Sequence, residues 1–184
     1  KVLNWMQRDL AADDMATLGM ILRTTGLPQL QELRLHSNCF GAEGMQSFSD
    51  DLGLGAAPAL RLLTLSCNKI GPAGAEALAA ALCRGAMPKL DTLSLSNNPI
   101  GNRGIVALAA PLRKLPAVKE LSLDECEIGD EGVASLIGDL GKDDFKNLKK
   151  LDLRRNTISD APSTPLVSAL DAGCMPNVEH VDLI

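Results

Sequence analysis

Apolar and polar residues follow one another along this chain in blocks of about 30 residues that share one order of leucines. The block from Leu60 to Lys89, LRLLTLSCNKIGPAGAEALAAALCRGAMPK, is the clearest copy. Its first, fourth and sixth residues are leucines, which is typical of a short strand with one buried face. Further along, apolar residues at three- and four-residue spacing among strong helix formers predict a helix over Ala73 to Leu82. Each block therefore predicts one strand followed by one helix.

The block repeats from one end of the chain to the other. Full copies begin at Leu30, Leu60, Leu90, Val118 and Leu148, a partial copy begins at Val178, and a degenerate copy opens the chain near residue 1. The steps between the named starts are 30, 30, 28, 30 and 30 residues. About six repeats thus account for residues 1–184 as a single domain. Because the chain lacks an initial Met and stops in the middle of a strand, we expect it to be a segment of a longer protein.

Asparagine and glycine mark the end of each predicted strand. The ninth residue of the block is Asn38, Asn68, Asn98 or Asn156, with Cys126 in one copy. An Asn side chain both donates and accepts hydrogen bonds, so it can satisfy the backbone where the strand bends away. Two sets of glycines follow, at the turn into the helix and three residues later: Gly41, Gly71, Gly101 and Gly129, then Gly44, Gly74, Gly104 and Gly132. We expect the first set to permit a tight turn and the second to let the helix lie close to the strand.

These positions spell L-x-x-L-x-L-x-x-N-x-I, a leucine-rich repeat. A strand and a full helix in every repeat of 28 to 30 residues resembles the ribonuclease-inhibitor-like class of such repeats, over essentially the whole chain. That resemblance implies an α/β solenoid in the form of a horseshoe arc, with a concave parallel β-sheet and convex α-helices. The class is similar to the repeat regions of Ran GTPase-activating proteins and of nucleotide-binding immune receptors. Pro111 falls inside the predicted helix of the third full repeat, and Pro162 and Pro165 fall near the start of the fifth. We expect a kink or a shorter helix at these places.

Composition excludes several classes of partner. The net charge is −5, whereas a nucleic acid or an anionic membrane held by charge needs a basic face. No apolar run approaches the length of a membrane span, so no membrane insertion is expected. Five cysteines without a Cys-x-x-Cys pair favour reduced thiols and an intracellular protein, cytoplasmic before any organelle. The cysteines lie in different repeats beside only two histidines, so we expect neither a metal nor another cofactor.

Outward-facing residues of the predicted strands form ladders across the sheet, with neighbouring rungs roughly 5 Å apart. The ladders have Ser and Thr in the middle and charged residues towards the C-terminal end. The opposite charges that face one another there are Asp124 and Arg154, Glu125 and Arg155, and Glu120 and Lys150. These charges have two interpretations. They satisfy one another at a modest gain in stability, or they form a partner-binding patch, because Arg is favoured among the anchors of interfaces.

The sequence contains no clear motif of a catalytic site. His36 and Ser37 are adjacent on one strand, with no acidic residue placed to complete a catalytic triad. The turns GPAG, GNRG and GDEG lack the Lys and the spacing of a phosphate-binding loop. We therefore predict that the protein is not an enzyme and has no small-molecule substrate.

A concave repeat surface is typical of protein binding. We predict a protein-interaction scaffold that binds a protein partner or braces a multi-subunit complex. The candidate partner-binding residues are Arg34, His36, Asp124, Glu125, Asp152, Arg154 and Arg155. The alternative is a GTPase-activating protein that resembles the Ran activators, and stimulated GTP hydrolysis by a small GTPase distinguishes the two.

Overall fold

Parallel strands form one sheet in the order of the chain, as the repeat predicts. The computed structural model describes residues 1–24, 27–138, 140–141, 143–159, 169 and 173–183. Within them the strands are Val2–Asn4 (β1), Glu32–Arg34 (β2), Leu62–Thr64 (β3), Thr92–Ser94 (β4), Glu120–Ser122 (β5), Lys150–Asp152 (β6) and His180–Asp182 (β7). Each strand pairs in register with the next, so that Leu33, Leu63 and Leu93 lie side by side. The predicted α/β leucine-rich repeat fold with a parallel sheet is confirmed.

A helix follows each of the first five strands. The helices of the described residues are Ala12–Arg23 (α1), Gly41–Asp50 (α2), Pro72–Cys83 (α3), Gly101–Arg113 (α4) and Asp130–Ile137 (α5). The helix predicted over Ala73 to Leu82 is confirmed, with Pro72 in its first turn, where the missing N–H of proline costs no hydrogen bond. No helix in this part of the chain is both long and apolar enough to cross a membrane.

Proline does not shorten α4. This helix contains Pro111 and, at 13 residues, is the longest of those described, so the expected shortening is wrong there. Pro111 lies in the last turn, where its missing N–H removes only one of the final bonds of the helix, and its ring is buried. The kink expected near Pro162 and Pro165 concerns residues outside those that the structure describes.

Leucines at the strand positions form one continuous core between the sheet and the helices. The leucines of neighbouring repeats, such as Leu63, Leu65, Leu93 and Leu95, are completely buried. Burial on this scale contributes about 1.5–3 kcal/mol for each large apolar side chain. Because each repeat buries its leucines against the next, the repeats are stable only as a stack.

Asparagine side chains join each repeat to its neighbours at the end of the strands. The Oδ1 atom of Asn68 accepts the backbone N–H of Asn38 at 2.8 Å and that of Cys39 at 3.1 Å. Its Nδ2 atom donates to the carbonyl of Leu35 at 2.9 Å and to that of Leu65 at 2.8 Å. Because the side chain is completely buried, these bonds satisfy backbone groups that water does not reach. The predicted role of the Asn positions is confirmed.

Glycines serve two purposes, one of which differs from the prediction. Gly41 and Gly101 have φ values of +67° and +64°, so the expected tight turn is confirmed there. The corresponding glycines of the other two repeats have negative φ and precede their helices. A Cβ atom on Gly104 would lie 2.5 Å from Cγ2 of Ile100 and 3.0 Å from Cβ of Ala75 in α3. This glycine therefore permits close packing on the preceding helix, and the predicted contact with the strand is wrong.

Candidate functional site

The register of the strands places the predicted ladders side by side on the exposed face of the sheet. The central ladder consists of Asn4, Arg34, Thr64, Ser94, Ser122, Asp152 and Asp182. In β2 to β6 the leucines that alternate with these residues are buried on the opposite face. The exposed face therefore carries short side chains in its middle and charged side chains towards both ends.

Short hydroxyl side chains form the middle of this face, which we call the hydroxyl strip: Thr64, Ser66, Ser94, Ser96 and Ser122. The Oγ atom of Ser66 lies 2.7 Å from that of Ser94, which lies 3.3 Å from that of Ser96. Ser96 in turn donates a hydrogen bond to the carboxylate of Asp124. Because a carboxylate only accepts hydrogen bonds, it orients the hydroxyl protons of Ser96, Ser94 and Ser66 in one direction. These three residues therefore form an ordered chain of hydrogen bonds within the strip.

Charged residues at the C-terminal side form the C-terminal charged patch: Asp124, Glu125, Asp152, Arg154 and Arg155. Arg154 holds Asp152 with two hydrogen bonds, from Nε to Oδ1 at 2.9 Å and from Nη2 to Oδ2 at 2.7 Å. Arg155 donates from Nη1 to Oε1 of Glu125 at 2.7 Å. The guanidinium groups of two consecutive residues after β6 are thus each held by a different carboxylate.

The pairing within the patch differs in part from the prediction. The predicted pair of Glu125 and Arg155 is confirmed. Arg154, in the turn after β6, pairs with Asp152, the last residue of that strand and two positions earlier in the chain. The predicted partner of Arg154 on the neighbouring strand, Asp124, instead accepts a hydrogen bond from the hydroxyl strip.

The third predicted pair, between Glu120 and Lys150, is also replaced. The Nζ atom of Lys150 lies 3.7 Å from Oδ2 of Asp182 on β7, which is the strand on its other side. In a parallel sheet a long Lys side chain can reach the strand on either side of its own. The sequence of charged residues alone therefore does not predict which carboxylate it pairs with.

Burial and charge act in opposite directions on Asp152, which is 5% exposed. The hydrogen bond from Arg154 lowers the pKa of the Asp152 carboxyl below its ordinary value, although burial opposes this shift. The same hydrogen bond raises the pKa of Arg154. Both groups are therefore charged at neutral pH. The side chains of Arg154 and Arg155 nevertheless remain 47% and 70% exposed, so that both can contact a partner.

Arg34 and His36 lie on the N-terminal side of the same face. Arg34 pairs with Glu32 on its own strand at 2.7 Å, and Nδ1 of His36 lies 3.3 Å from Oγ1 of Thr64. These residues lie on or directly after β2, whereas the C-terminal charged patch lies on or after β5 and β6, so that roughly 15–20 Å separates them. The structure thus brings the last five of the candidate residues together and leaves these two apart.

Thiols and metal-binding side chains are dispersed. Cys39, Cys67 and Cys83 are exposed and free, whereas Cys126 is buried. Burial raises the pKa of the Cys126 thiol to about 12, which keeps it protonated and unreactive at neutral pH. Nowhere in the described ranges do three or more His, Cys, Asp or Glu side chains form a group that fits a metal ion.

The sequence did not predict an apolar recess on the surface. An apolar recess of about 490 Å³ opens beside the C-terminal ends of α3 and α4, away from the exposed face of the sheet. The residues that line it include Leu54, Leu82, Met87, Pro111 and Leu115. The one signal in the sequence is the single step of 28 residues between repeats, because it shortens the connection after α4.

Comparison with known proteins agrees with this architecture. The sequence profile of the leucine-rich repeat family matches residues 27–49, 58–79, 86–109, 114–136 and 146–161, which together are more than half of the chain. No curated protein sequence matches the chain.

Solved structures share the fold at low sequence identity. The actin-binding site 2 of leiomodin-1 superposes with a TM-score of 0.66 and 19% identity, over 89% of this chain and 87% of that one. The tropomodulin C-terminal domain of Caenorhabditis elegans superposes with a TM-score of 0.59 and 15% identity, over 86% of this chain and 92% of that one. Likeness at these identities extends to the fold alone.

Proposed function

The chain belongs to the leucine-rich repeat family, and from that premise we propose that it is a non-catalytic scaffold that binds a protein partner on the exposed face of its sheet. Stacked repeats present an extended surface, which suits the recognition of another protein better than that of a small molecule. The C-terminal charged patch is the proposed centre of contact, and the hydroxyl strip is the floor beside it.

The observation that carries this proposal is the fixed position of two exposed arginines. The Nε and Nη2 atoms of Arg154 are held by Asp152, so that its remaining Nη1 group is free to point towards a partner. Arg155 is anchored in the same way by Glu125 through a single nitrogen. An arginine that is ordered before binding loses less side-chain entropy when a partner arrives. Self-pairing and recognition are therefore compatible in this patch.

Arg34 and His36 form a proposed second contact at the other side of the face. A separation of roughly 15–20 Å suits two contacts of one protein partner, since a standard interface spans about 800 Å² on each side. The hydroxyl strip between them has short side chains, which allow a partner to approach the sheet closely.

The GTPase-activating alternative is less well supported. An arginine that completes a partner's active site must reach the phosphates that are being transferred. Arg154 and Arg155 are each engaged by a carboxylate of the same patch, so that extension towards a nucleotide requires an ion pair to break. GTP hydrolysis by a small GTPase in the presence of this protein tests the alternative, and we expect no stimulation.

Free thiols support an intracellular setting for this function. Cys39, Cys67 and Cys83 are exposed without a disulfide partner, and thiols of this kind persist in reducing compartments. We propose that the protein acts in the cytoplasm, and mass spectrometry of alkylated protein from its own cells tests this by measuring the fraction of each thiol that is free.

The proposal is tested by purifying the protein from its own cells after cross-linking, beside two charge-reversed variants. Arg154→Glu with Arg155→Glu reverses the patch. Arg23→Glu with Arg103→Glu is the matched control, because these two arginines are also exposed and ion-paired but lie on helices. We expect a specific partner to be lost from the first variant and retained by the second. Equal recovery of the same partners with both variants would contradict the proposal.

Actin is the first named protein to test, because leiomodin-1 carries this fold in a segment described as an actin-binding site. Sedimentation of the protein with actin filaments and its binding to monomeric actin are both direct assays. Loss of binding in the Arg154→Glu and Arg155→Glu variant, with binding retained in the helix control, would assign actin to the patch. If the wild-type protein does not bind either form of actin, the partner is another protein.

A further inference from the structure

The apolar recess exists because successive connections become shorter. The chain between α2 and β3 covers residues 51–61, that between α3 and β4 covers residues 84–91, and that between α4 and β5 covers only residues 114–119. The two longer connections project past the short one and leave its side open. Leu54, Met87 and Pro88 line the recess from the longer connections, and Leu115 and Pro116 line it from the short one.

Leu54 is held at the wall of this recess with its side chain in solvent. It is 89% exposed, the highest value among the exposed large apolar residues that the structure describes. Its loop is ordered by hydrogen bonds to the next loop, from the N–H of Gly55 to the carbonyl of Gly85 and from that of Ala57 to the carbonyl of Ala86, both at 2.9 Å. An ordered leucine in water gains free energy when a partner buries it, without the cost of fixing a flexible loop.

A group of cations borders the recess on the side of the strands, and we call Arg61, Lys89 and Lys119 the cationic notch. These residues line a shallow depression of about 320 Å³. Pro116 lines both the recess and the notch, so that the two are continuous. Backbone hydrogen bonds from Asp91 to Arg61 and from Lys119 to Asp91, at 2.8 and 2.7 Å, fix the spacing of this edge.

The charge of the notch is only partly balanced. Its one carboxylate, that of Asp91, lies 3.5 Å from Arg61. Lys149, on the next rung beyond Lys119, is engaged by Glu179 at 2.7 Å. Among the described residues no carboxylate lies within 4.0 Å of Lys89 or Lys119. The chain as a whole has a net charge of −5 and repels carboxylates. A locally positive surface on it attracts them, so an acidic ligand is directed to this place.

We propose that the recess and the cationic notch together bind a short acidic segment of a partner protein. An aliphatic side chain of the segment enters the recess beside Leu54, and carboxylates on either side of it pair with Lys89 and Lys119. Apolar anchoring gives affinity, and the charges fix the direction of the segment. This site lies at the edge of the solenoid, goes beyond the proposed function of the sheet face, and does not depend on it.

The test uses short random peptides displayed in a library and selected on the folded protein. We expect the selected peptides to contain Leu, Ile or Met with Asp or Glu on both sides. Synthetic fluorescent copies of these peptides then give dissociation constants by anisotropy for the wild type and for two site variants. We expect binding to weaken by about tenfold or more in each of two variants, Leu54→Asp and Lys89→Glu with Lys119→Glu. In the charge-reversed variant the dissociation constant should also lose most of its dependence on salt concentration.

Matched controls change exposed residues elsewhere. Val106→Asp changes an exposed apolar side chain on α4, and Arg8→Glu with Lys69→Glu reverses two exposed cations at the opposite ends of the strands. Binding by these controls should remain within about twofold of the wild type. If a charge-reversed variant fails to fold, Lys89→Ala with Lys119→Ala replaces it, since loss of charge alone also removes the predicted attraction.

Four other results would overturn the proposal. Peptides without acidic residues, or none at all, would show that the notch does not select carboxylates. Sensitivity to Leu54→Asp without sensitivity to charge reversal would indicate an apolar ligand only. Concentration-dependent self-association of the wild type that Leu54→Asp abolishes, measured by sedimentation, would indicate a second copy of the chain as the occupant. If only the variant with Arg154→Glu and Arg155→Glu weakens peptide binding, the peptides bind the sheet face and not the recess. This result would contradict the proposal for the recess and leave the proposal for the sheet face standing.

Discussion

At the scale of single residues, Cys126 interrupts the line of asparagines that joins the repeats. The Sγ atom of Cys126 lies 3.3 Å from the carbonyl oxygen of Leu95, which an Asn amide would also reach. A thiol has no amide oxygen to offer to the preceding repeat. There the N–H of Ile100 bonds to the carbonyl of Asn98 at 2.7 Å, whereas the equivalent N–H of Ile70 bonds to a side-chain oxygen at 2.9 Å.

Replacement of this residue by Asn should therefore stabilise the protein. In Cys126→Asn the new Oδ1 atom accepts the backbone N–H groups of Asn98 and Ile100, as Asn98 does for the repeat before it. We expect the free energy of unfolding to rise by about 1 kcal/mol, measured by urea denaturation. Cys126→Ala is the control, since it removes the thiol and adds no acceptor. If Cys126→Asn is less stable than the wild type, the asparagines do not stabilise the contacts between repeats in the way described.

The pair of Asp152 and Arg154 should make stability depend on acid. The pKa of Asp152 is lowered in the folded state, so its contribution is complete above the unfolded value of about 3.9 and disappears as the pH falls through the folded value. Asp152→Asn should lower the free energy of unfolding by about 1 kcal/mol at about pH 7, given that Arg154 is half exposed. The difference from the wild type should shrink at about pH 3.

The measurement is urea denaturation of both proteins at several pH values. Glu127→Gln is the control, because Glu127 is an exposed carboxylate outside the pair. A difference between wild type and Asp152→Asn that stays constant from neutral to acid pH would show that the effect is one of packing and not of charge.

At the scale of elements, helices are capped by residues of other repeats. Oδ1 of Asn102, in the first turn of α4, accepts the backbone N–H groups of Gly129 and Gly132 at 2.7 and 3.2 Å. It thereby caps the start of α5, which has no side-chain cap of its own. Arg113 caps the end of the same helix, with a hydrogen bond from Nε to the carbonyl of Leu136 at 2.9 Å.

Removal of the cap from Asn102 should weaken the contact between two repeats. We expect Asn102→Ala to lower the free energy of unfolding by about 1 kcal/mol, measured by thermal and urea denaturation. Arg103→Ala is the matched control, because Arg103 is the next residue and makes an exposed ion pair with Glu76, and solvent-exposed pairs contribute little to stability. Equal effects of the two substitutions would refute the cap.

The sequence predicts what depends on one repeat and misses what depends on two. Strands, helices and the Asn positions follow from spacing within a block, and they are confirmed among the described residues. The helix predicted for the block that begins at Leu148 lies outside those residues. The partner of Arg154 was predicted wrongly, because Asp124 of the neighbouring repeat and Asp152 of the same repeat both act on this arginine. The cap by Asn102 was missed, because it depends on how far one helix lies from the next. The apolar recess was missed because it depends on three unequal connections together.

At the scale of the whole molecule, stacking of repeats separates two exposed surfaces. The sheet presents a polar, hydrogen-bonded face with a charged patch, and the edge beside the helix ends presents an apolar recess with a cationic notch. Because both are built on elements held by the continuous core, neither needs to fold on binding. We expect substitutions on one surface to leave binding at the other unchanged, as for distant independent sites.

The most direct test of the central claim is a titration by calorimetry with the protein partner recovered by cross-linking. The dissociation constant is compared among the wild type, the variant with Arg154→Glu and Arg155→Glu, and the helix control with Arg23→Glu and Arg103→Glu. If the sheet face binds the partner, the first variant should bind at least about tenfold more weakly and the control should match the wild type. An unchanged constant in the first variant, or a loss confined to the control, would contradict a binding site on the exposed face of the sheet.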